Sequence, residues 1–329
     1  MPEQIVTVPG RANLIGEHID YHGFPVLPIA LRRAIRLHFT PRPDNRIQAV
    51  SESYGPREFE WQPQLQPVAP GDWENYIRAA AQLVGARWGT GCGIDAVVES
   101  NLPPAAGLSS SSALIVAFTL ALLRANGRSA TFGELMEVLP DGEQFVGTRG
   151  GGMDHAAVLG SREGCASLIS FAPVAIRHIP IPQDWAFLVA HSGVYAEKSG
   201  AVRERYNAIR AAGPNTQHVI TEAARVQKAV EAMLDHQPER FGKLLLESHA
   251  SLRDRLHVSV PALDRLVEVA MQSGALGARL TGAGFGGCAV IFCRRTDLPP
   301  VRAEIIERFH AGDPAQVIDA EPGAGAVHS

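Results

Sequence analysis

The chain has 329 residues, 46% of them hydrophobic, and its 30 basic and 34 acidic side chains give a formal charge of −4. This composition is typical of a globular protein and excludes a disordered chain, and the length leaves room for about two domains. The slight excess of negative charge argues against a protein that binds nucleic acid or an anionic membrane surface.

Three further features bear on the cell compartment. The longest apolar stretch, residues 113–123, is too short to cross a bilayer, and no basic segment leads into an apolar run at the N-terminus. The four cysteines are scattered and form no CxxC pair, so the sequence indicates neither a disulfide framework nor a zinc site. We therefore expect a cytoplasmic monomer with no nucleic-acid or membrane partner.

In chain order, the first half predicts strands at 5–8, 26–31, 35–39, 47–50 and 94–98. Pro9 and Gly10 are expected to end the first strand and start a loop. A helix is predicted over 73–88, with Asp72 as its N-cap, and a strongly apolar helix follows a Gly/Ser loop at about 112–124.

The second half predicts strands at 166–171, 178–181 and 186–190, helices at 216–236, 239–250, 261–273 and 300–310, and a strand, turn and strand over 276–292. Residues 321–329 are expected to form a frayed tail. This mixture favours the α+β class. Prolines cluster at 172–185, where a domain change is plausible.

The first stretch that carries chemistry is the serine loop at 105–112. Gly107 permits a sharp turn, and four serines then open the apolar helix. A helix N-terminus with hydroxyl groups suits a bound phosphate, and one serine is a candidate Mg²⁺ ligand. The alternative is a serine N-cap before a buried helix. The segment matches neither the Walker P-loop nor the Rossmann fingerprint.

A second stretch, residues 9–21, concentrates hydrogen-bonding side chains between glycines. Glu17, His18 and Asp20 offer the donors and acceptors that sugar hydroxyls require, and Arg11 suits charge on a transferring phosphoryl group. A surface loop whose charges face water is one alternative. A metal site built from the three acceptor residues is another.

Two glycine-rich stretches complete the set. In residues 147–155 a single carboxylate, Asp154, follows three glycines and could accept a proton from an attacking hydroxyl. The alternative is that Asp154 only caps the following helix. Residues 277–287 hold five glycines, which predict a tight turn between two strands. Its amides could line a phosphate or a sugar, or the turn could be purely structural.

These four stretches, in this order, resemble the GHMP small-molecule kinases and, within them, the galactokinases. Residues 10–21 read Gly-Arg-Ala-Asn-Leu-Ile-Gly-Glu-His-Ile-Asp-Tyr, which matches the galactokinase signature without a gap. Residues 107–111 (Gly-Leu-Ser-Ser-Ser) match the ATP motif of the family, and residues 281–288 match its third motif. The resemblance extends from about residue 8 to residue 292.

The resemblance implies a two-domain α+β fold with the active site in the cleft between the domains. The domains would comprise residues 1–180 and a ferredoxin-like unit, residues 181–329, with a short flexible tail. The activity implied is transfer of the γ-phosphoryl group of ATP to the anomeric hydroxyl of galactose.

The resemblance also assigns roles to residues. Asp154 corresponds to the catalytic base and Arg11 to the neighbour that stabilises the transition state. The implied sugar-binding residues are Arg11, Glu17, His18, Asp20, Gly151, Gly152 and Tyr206. The implied ATP-binding residues are Ala105, Ala106, Gly107, Leu108, Ser109, Ser110 and Ser111. Ser111 and Glu143 are the implied Mg²⁺ ligands.

Some positions depart from the family pattern. The Mg²⁺-binding Glu usually lies twelve residues before the catalytic Asp, where this chain has Gly142, and Glu143 is one residue off. Residues 143–147 and 150–154 are closer to N-acetylgalactosamine kinases, so that sugar or a uronic acid is the alternative substrate. A non-catalytic sensor of sugar and ATP is a further alternative, but such proteins lose residues of the Gly-Leu-Ser-Ser-Ser motif, which is intact here.

Overall fold

The first half of the chain is built on a five-stranded sheet. The computed structural model describes residues 2–103, 107–147, 150–195 and 200–327. The strands are β1 (Gln4–Asn13), β2 (Pro28–Pro41), β3 (Arg46–Ser51), β4 (Gly55–Glu60) and β5 (Ile94–Ser100). Their order is β1-β2-β5-β3-β4, and only the β3–β5 pair is parallel.

Four helices accompany this sheet: α1 (Glu74–Trp88), α2 (Ser110–Ala125), α3 (Phe132–Phe145) and α4 (Met153–Gly160). Helix α2 is buried along nearly all of its length and contacts β1, β2, α1 and α4. A helix that is apolar on all sides needs such an environment, because no face of it suits water. Because α2 lies at the centre of this half, its first turn lines the cleft described below.

The second half is built on a four-stranded antiparallel sheet in the order β11-β8-β10-β9. Its strands are β8 (Trp185–His191), β9 (Gly277–Thr281), β10 (Cys288–Arg294) and β11 (Val317–Asp319). A separate hairpin pairs β6 (Cys165–Ser170) with β7 (Ala175–Pro180). The helices are α5 (Gly200–Ala211), α6 (Gln217–Leu234), α7 (Pro238–Asp254), α8 (Pro261–Gln272) and α9 (Leu298–His310).

Both faces of the second sheet are covered. Along β10, Val290 and Phe292 belong to the large core that also includes the first sheet, whereas Ala289 and Ile291 pack with α8 and α9 in a second core. Successive side chains of a strand point to opposite faces, so a strand covered on both sides is apolar throughout. The two halves therefore share a core, and the cleft lies between them.

The α+β class predicted from the sequence is confirmed. Strand β1 is longer than expected, because it runs through Pro9 and Gly10 to Asn13 with a register shift between Pro9 and Arg11. Strand β1 lies at the edge of the sheet, where the missing N–H of a proline is tolerated. The segments predicted at 26–31 and 35–39 form one strand, β2. Strand β4 and helices α3 and α5 were not predicted. The domain division near residue 180 stays a prediction.

The expectation of a frayed tail is wrong for the described residues. The N–H groups of Gly325, Ala326 and Val327 donate to carbonyls of Ser161, Val158 and Leu159 at the end of α4, and Ala326 is buried. The tail therefore satisfies carbonyl groups that a helix C-terminus leaves without an internal partner. Among the described residues, no helix has the length and apolar character needed to cross a membrane.

Candidate active site

A cavity of about 1150 Å³ lies between the two halves of the molecule and gathers residues from all four motifs. The predicted site residues that line it are Arg11, Glu17, His18, Asp20, Gly107, Ser109, Ser110, Ser111, Glu143, Gly151, Gly152, Asp154 and Tyr206. Leu108 is buried and does not line the cavity. Ala105 and Ala106 lie outside the described residues.

Arg11 links the serine loop to Asp154, the predicted catalytic base. Its Nε donates a hydrogen bond to Oδ1 of Asp154 at 2.7 Å, and its Nη1 donates to the carbonyl oxygen of Gly107 at 2.6 Å. Burial alone would lower the pKa of Arg11, but the neighbouring carboxylates, Asp154 foremost, outweigh it and raise that pKa above its ordinary value. Arg11 is therefore a fixed cation that orients Asp154. The sequence alternative of a water-facing loop is wrong for Arg11, which is buried on β1.

Asp154 lies in the first turn of α4, and the N-cap of that helix is Gly152. The alternative that Asp154 merely caps the helix is therefore wrong. A carboxylate in a first helical turn is stabilised in its ionised form by the helix dipole. Gly152 has a φ of 96°, a conformation that favours glycine. A side chain at Gly151 would overlap Asp20, which explains why this turn consists of glycines.

Asp20 stands next to this turn on a short 3-10 turn over Asp20–His22. Its Oδ2 accepts a hydrogen bond from the N–H of Gly151 at 3.1 Å. Burial, together with the negative charge of Asp154, raises the pKa of Asp20 to about 6. The cavity thus holds two carboxylates whose environments differ: Asp154 is paired with Arg11, and Asp20 takes up a proton more readily than an ordinary aspartate.

Glu17 is buried, and both of its carboxylate oxygens accept hydrogen bonds from the chain itself. Oε2 accepts from the side-chain amide of Asn13, and Oε1 accepts from the N–H of Gly282 and lies 3.8 Å from Nη1 of Arg279. Burial raises the pKa of Glu17 to about 7, although Arg279 and Arg11 oppose that rise. Glu17 thus joins the signature loop (residues 10–21) to the glycine-rich turn at residues 282–286. Its contact with a sugar stays a prediction.

His18 is held in one orientation by both ring nitrogens. Nε2 donates to the carbonyl oxygen of Ala283 at 3.0 Å, so Nδ1 accepts from the hydroxyl of Tyr21 at 2.9 Å. Burial lowers the pKa of His18 to about 4, so the ring is neutral. Neither nitrogen is left for a metal ion. Among the residues with described placement, no cluster of three metal-binding side chains exists, so the structure does not support the metal-site alternative.

Tyr206 joins the signature loop from helix α5. The centre of its ring lies 5.6 Å from that of His18 and 6.1 Å from that of Tyr21. These aromatic side chains form a wall of the cavity on the side of Asp20. Tyr206 therefore lines the cavity from a helix that was not predicted, and its contact with a sugar stays a prediction.

The serine loop opens helix α2 at Ser110, two residues earlier than expected. Ser109 is the N-cap residue, as in the alternative of a serine N-cap, but it has a φ of 59° and its side chain makes no capping hydrogen bond. The Oγ of Ser109 is buried and has no hydrogen-bond partner among the residues that the structure describes, although Ser109 lines the cavity. A buried hydroxyl without a partner is costly unless a ligand satisfies it. This hydroxyl and the helix N-terminus fit a phosphate group.

The carboxylate beside the serine loop comes from Glu143. Its Oε1 accepts from the hydroxyl of Ser112 at 3.0 Å, and its Oε2 accepts from the N–H of Gly150 at 3.0 Å. The side of Gly142 instead faces Leu83 in the core. Glu143, and not residue 142, therefore brings a carboxylate to the cavity, and its role as a Mg²⁺ ligand stays a prediction. The sequence did not predict that Ser112 is the serine bonded to it, because this depends on where the helix begins.

The glycine-rich stretch forms the turn between the antiparallel strands β9 and β10, as predicted. Thr281, at the end of β9, accepts a hydrogen bond from the N–H of Asn13 at 3.0 Å and returns one to the carbonyl oxygen of Asn13 at 3.1 Å. The turn residues 282–286 line the cavity. The turn is therefore part of the site as well as a structural hairpin.

The far end of the cavity is apolar and aromatic. Trp73 and Tyr76 line it from the start of α1, and the ring of Tyr54 lies 6.4 Å from that of Trp73. Val97 and Val98 of β5 lie on the same side. The same cavity also reaches Asp20 and Tyr206, and its volume is large enough for one elongated ligand or two ligands.

Comparison with known protein families agrees with this geometry. Residues 75–161 match the family described as GHMP kinases N terminal domain, and residues 229–311 match GHMP kinases C terminal. Residues 1–41 match the galactokinase galactose-binding signature. The three matched segments include every cavity-lining motif residue except Tyr206.

Individual relatives support the same family. The galactokinases of Roseiflexus sp. (strain RS-1) and Bos taurus are each 32% identical, over 94% and 99% of this chain and 88% and 93% of their own. The structure of Lactococcus lactis galactokinase complexed with galactose has a TM-score of 0.88 and 26% identity, covering 98% of this chain and 94% of its own. A Methanococcus jannaschii mevalonate kinase, at 19% identity and a TM-score of 0.74 with 98% of both chains covered, shares the fold. The chain belongs to the galactokinase family of GHMP kinases.

Proposed function

We propose that this protein transfers the γ-phosphoryl group of ATP to the anomeric hydroxyl of galactose, which gives galactose 1-phosphate and ADP. The observation that carries the proposal is the buried Arg11–Asp154 pair, 2.7 Å apart, in a cavity that also contains the serine-rich start of α2. Phosphoryl transfer needs positioning and charge stabilisation more than covalent chemistry from the protein. This constellation supplies both.

The phosphates of ATP would lie at the N-terminus of α2. The unpartnered hydroxyl of Ser109 and the amide groups of the first helical turn would bind them. The aromatic end of the cavity at Trp73 and Tyr76 would hold the nucleobase.

Mg²⁺ fits the residues at this end of the cavity. Ser111 lines the cavity beside Glu143, and a hydroxyl with a single carboxylate is the kind of oxygen set that Mg²⁺ uses together with phosphate oxygens and water. When bound, Mg²⁺ would offset the negative charge of the phosphates. We therefore propose Ser111 and Glu143 as its protein ligands, with Ser112 orienting Glu143.

The sugar would lie between Asp20, the glycine turn at residues 150–152 and Tyr206. Asp154 would accept the proton of the anomeric hydroxyl, and Arg11 would hold Asp154 in place and stabilise charge on the transferred group. His18 and Glu17, which are occupied by contacts within the chain, would shape the sugar end rather than act as proton acceptors. Galactose is the ligand named for the Lactococcus lactis relative, which supports the choice of sugar.

A substrate panel tests the proposal. ADP release should be measured with ATP, Mg²⁺ and galactose, N-acetylgalactosamine or galacturonic acid, with Asp154→Asn as the inactive control. We expect the highest kcat/KM with galactose. A tenfold preference for N-acetylgalactosamine would change the sugar assignment. The absence of sugar-dependent ADP release with every substrate would favour the non-catalytic sensor and contradict the proposal.

A further inference from the structure

One face of helix α6, which belongs to none of the four motifs, contacts the signature loop. Three residues at successive i, i+4 positions meet the loop: His218, Glu222 and Val226. Nε2 of His218 donates to the carbonyl oxygen of Glu17 at 3.0 Å, and Oε1 of Glu222 accepts from the N–H of Gly16 at 2.9 Å. One helix face therefore holds the two loop residues that directly precede His18.

The third contact explains why the loop comes so close to the helix. Gly16 has a φ of 105°, and a side chain there would lie 3.1 Å from a methyl group of Val226. Only a glycine adopts this backbone conformation readily and leaves room for the helix. The loop backbone is thus seated directly on α6.

Glu222 is fully buried and satisfied on every side that the structure shows. Ser248 donates to its Oε1 at 2.6 Å, and Nε of Arg225 donates to its Oε2 at 2.8 Å. Burial works against the ionised form, but Arg279, His218 and Arg225 outweigh it and lower the pKa of Glu222. A buried ionised carboxylate persists only when its partners compensate for the lost hydration.

Arg279 completes the arrangement from strand β9. Its guanidinium is fully buried, and Nη1 donates to the carbonyl oxygens of Asn13 and Leu14 at 3.1 and 3.0 Å. It also carries the charge that faces both Glu17 and Glu222. The loop from Asn13 to His18 is therefore held by a charged network whose members on α6, α7 and β9 do not line the cavity.

We propose that Glu222 is a positioning residue for sugar binding: through Gly16 and Arg279 it fixes the loop that presents Glu17 and His18 to the cavity. This inference rests on the proposed sugar kinase function. It assigns no contact between Glu222 and a substrate. It places the control of galactose affinity partly on a helix of the second half of the chain.

The test is Glu222→Gln in the full chain, with KM for galactose and KM for ATP measured separately by ADP release. Glutamine keeps the shape and one accepting oxygen but removes the charge. Loss of a charge-assisted contact in a buried network predicts a rise in KM for galactose on the order of tenfold. KM for ATP should remain unchanged. A merely structural role would lower the active fraction, and thus apparent kcat, without separating the two KM values.

A matched control lies on the same helix. Glu231→Gln makes the same chemical change at an exposed residue that pairs with Arg240 at 2.9 Å, away from the loop. Both KM values should match those of the unmodified protein. If Glu222→Gln fails to fold, Ser248→Ala decides the matter, because it removes only the hydroxyl that orients Glu222. Ser248→Ala should raise KM for galactose alone, in the same direction and by less.

The outcomes separate the two proposals. If the unmodified protein and Glu231→Gln both lack galactose-dependent ADP release, the proposed function fails. If both are active and the Glu222 or Ser248 variant leaves KM for galactose unchanged, or raises KM for ATP equally, the positioning role is overturned and the kinase function stands.

Discussion

The Asp154→Asn variant tests the central contact of the site. Asparagine keeps an oxygen that can accept from Nε of Arg11, now 2.7 Å from the carboxylate, but it cannot take a proton from a hydroxyl. Loss of a general base lowers turnover by roughly 10²- to 10⁴-fold, which corresponds to a barrier increase of about 3 to 5 kcal/mol. Arg11 retains the charges of Glu17 and Glu143 nearby, so the variant should still fold.

The assay is steady-state ADP release with galactose, together with nucleotide binding measured by calorimetry. We expect kcat to fall at least a hundredfold, while affinity for ATP stays within about twofold, because Ser109 and the start of α2 are unchanged. Asp95→Asn is the matched control, since it removes a carboxylate from an Arg–Asp pair at 2.6 Å on the exposed side of the sheet. Near-normal kcat in Asp154→Asn would refute the assignment of Asp154 as the base.

Three further changes address the metal, the glycine turn and the pH dependence. Ser111→Ala should raise the Mg²⁺ concentration needed for half-maximal activity, and an unchanged Mg²⁺ titration would remove it as a ligand. Gly151→Ala should raise KM for galactose and cost about 1–3 kcal/mol of unfolding free energy in a urea titration, whereas Gly133→Ala, where a methyl group would meet only Oγ1 of Thr131 at 4.0 Å, should not destabilise the protein. As pH falls, kcat/KM for galactose should decrease through the pKa values of Glu17, about 7, and Asp20, about 6, because each acid loses its charge below its own pKa. Asp20→Asn should lose the lower inflection in a pH–rate profile, and persistence of both inflections would contradict the assignment.

The local sequence indicates which residue types the site contains, but it does not predict how they come together in space. Arg11 and Asp154 lie 143 residues apart in the chain, and no spacing rule brings them together. Their contact was expected only because the ordered motifs resembled one family. The proposed phosphate-binding role of the serine loop, in contrast, is suggested by local features, since a glycine turn before a helix N-terminus suits an anion.

Prolines and glycines led to wrong predictions at positions where tertiary contacts determine the structure. Pro9 and Gly10 are turn formers in a short segment, yet they continue β1, because an edge strand needs no donor at Pro9. Gly323 and Gly325, which suggested a loose tail, are the residues that allow the C-terminal backbone to lie against β2 and α4. A glycine that permits close approach and a glycine that permits disorder look the same in a sequence.

The partners of a buried charged residue could not be predicted from the sequence either. Glu17 was expected to face sugar hydroxyls, because its neighbours in sequence are polar, but its nearest donors come from Asn13 and from Gly282 far along the chain. Glu222 carried a signal that was overlooked. It lies on the apolar face of α6, between His218 and Val226, and a glutamate on the inner face of an amphipathic helix requires a buried partner.

The distribution of charge divides the cavity into two ends that suit two different ligands. In the proposed function, the sugar end is lined by Asp20 and Glu17 beside Asp154, whereas the phosphate end has the serine hydroxyls, the positive end of a helix dipole and Glu143. The first end suits the hydroxyls of a neutral polyol, and the second suits phosphates bound together with Mg²⁺. Arg11 lies at the boundary, bonded to Asp154 on one side and to the carbonyl of Gly107 on the other. The same cation that orients the base thus marks the point where the two ligands must meet.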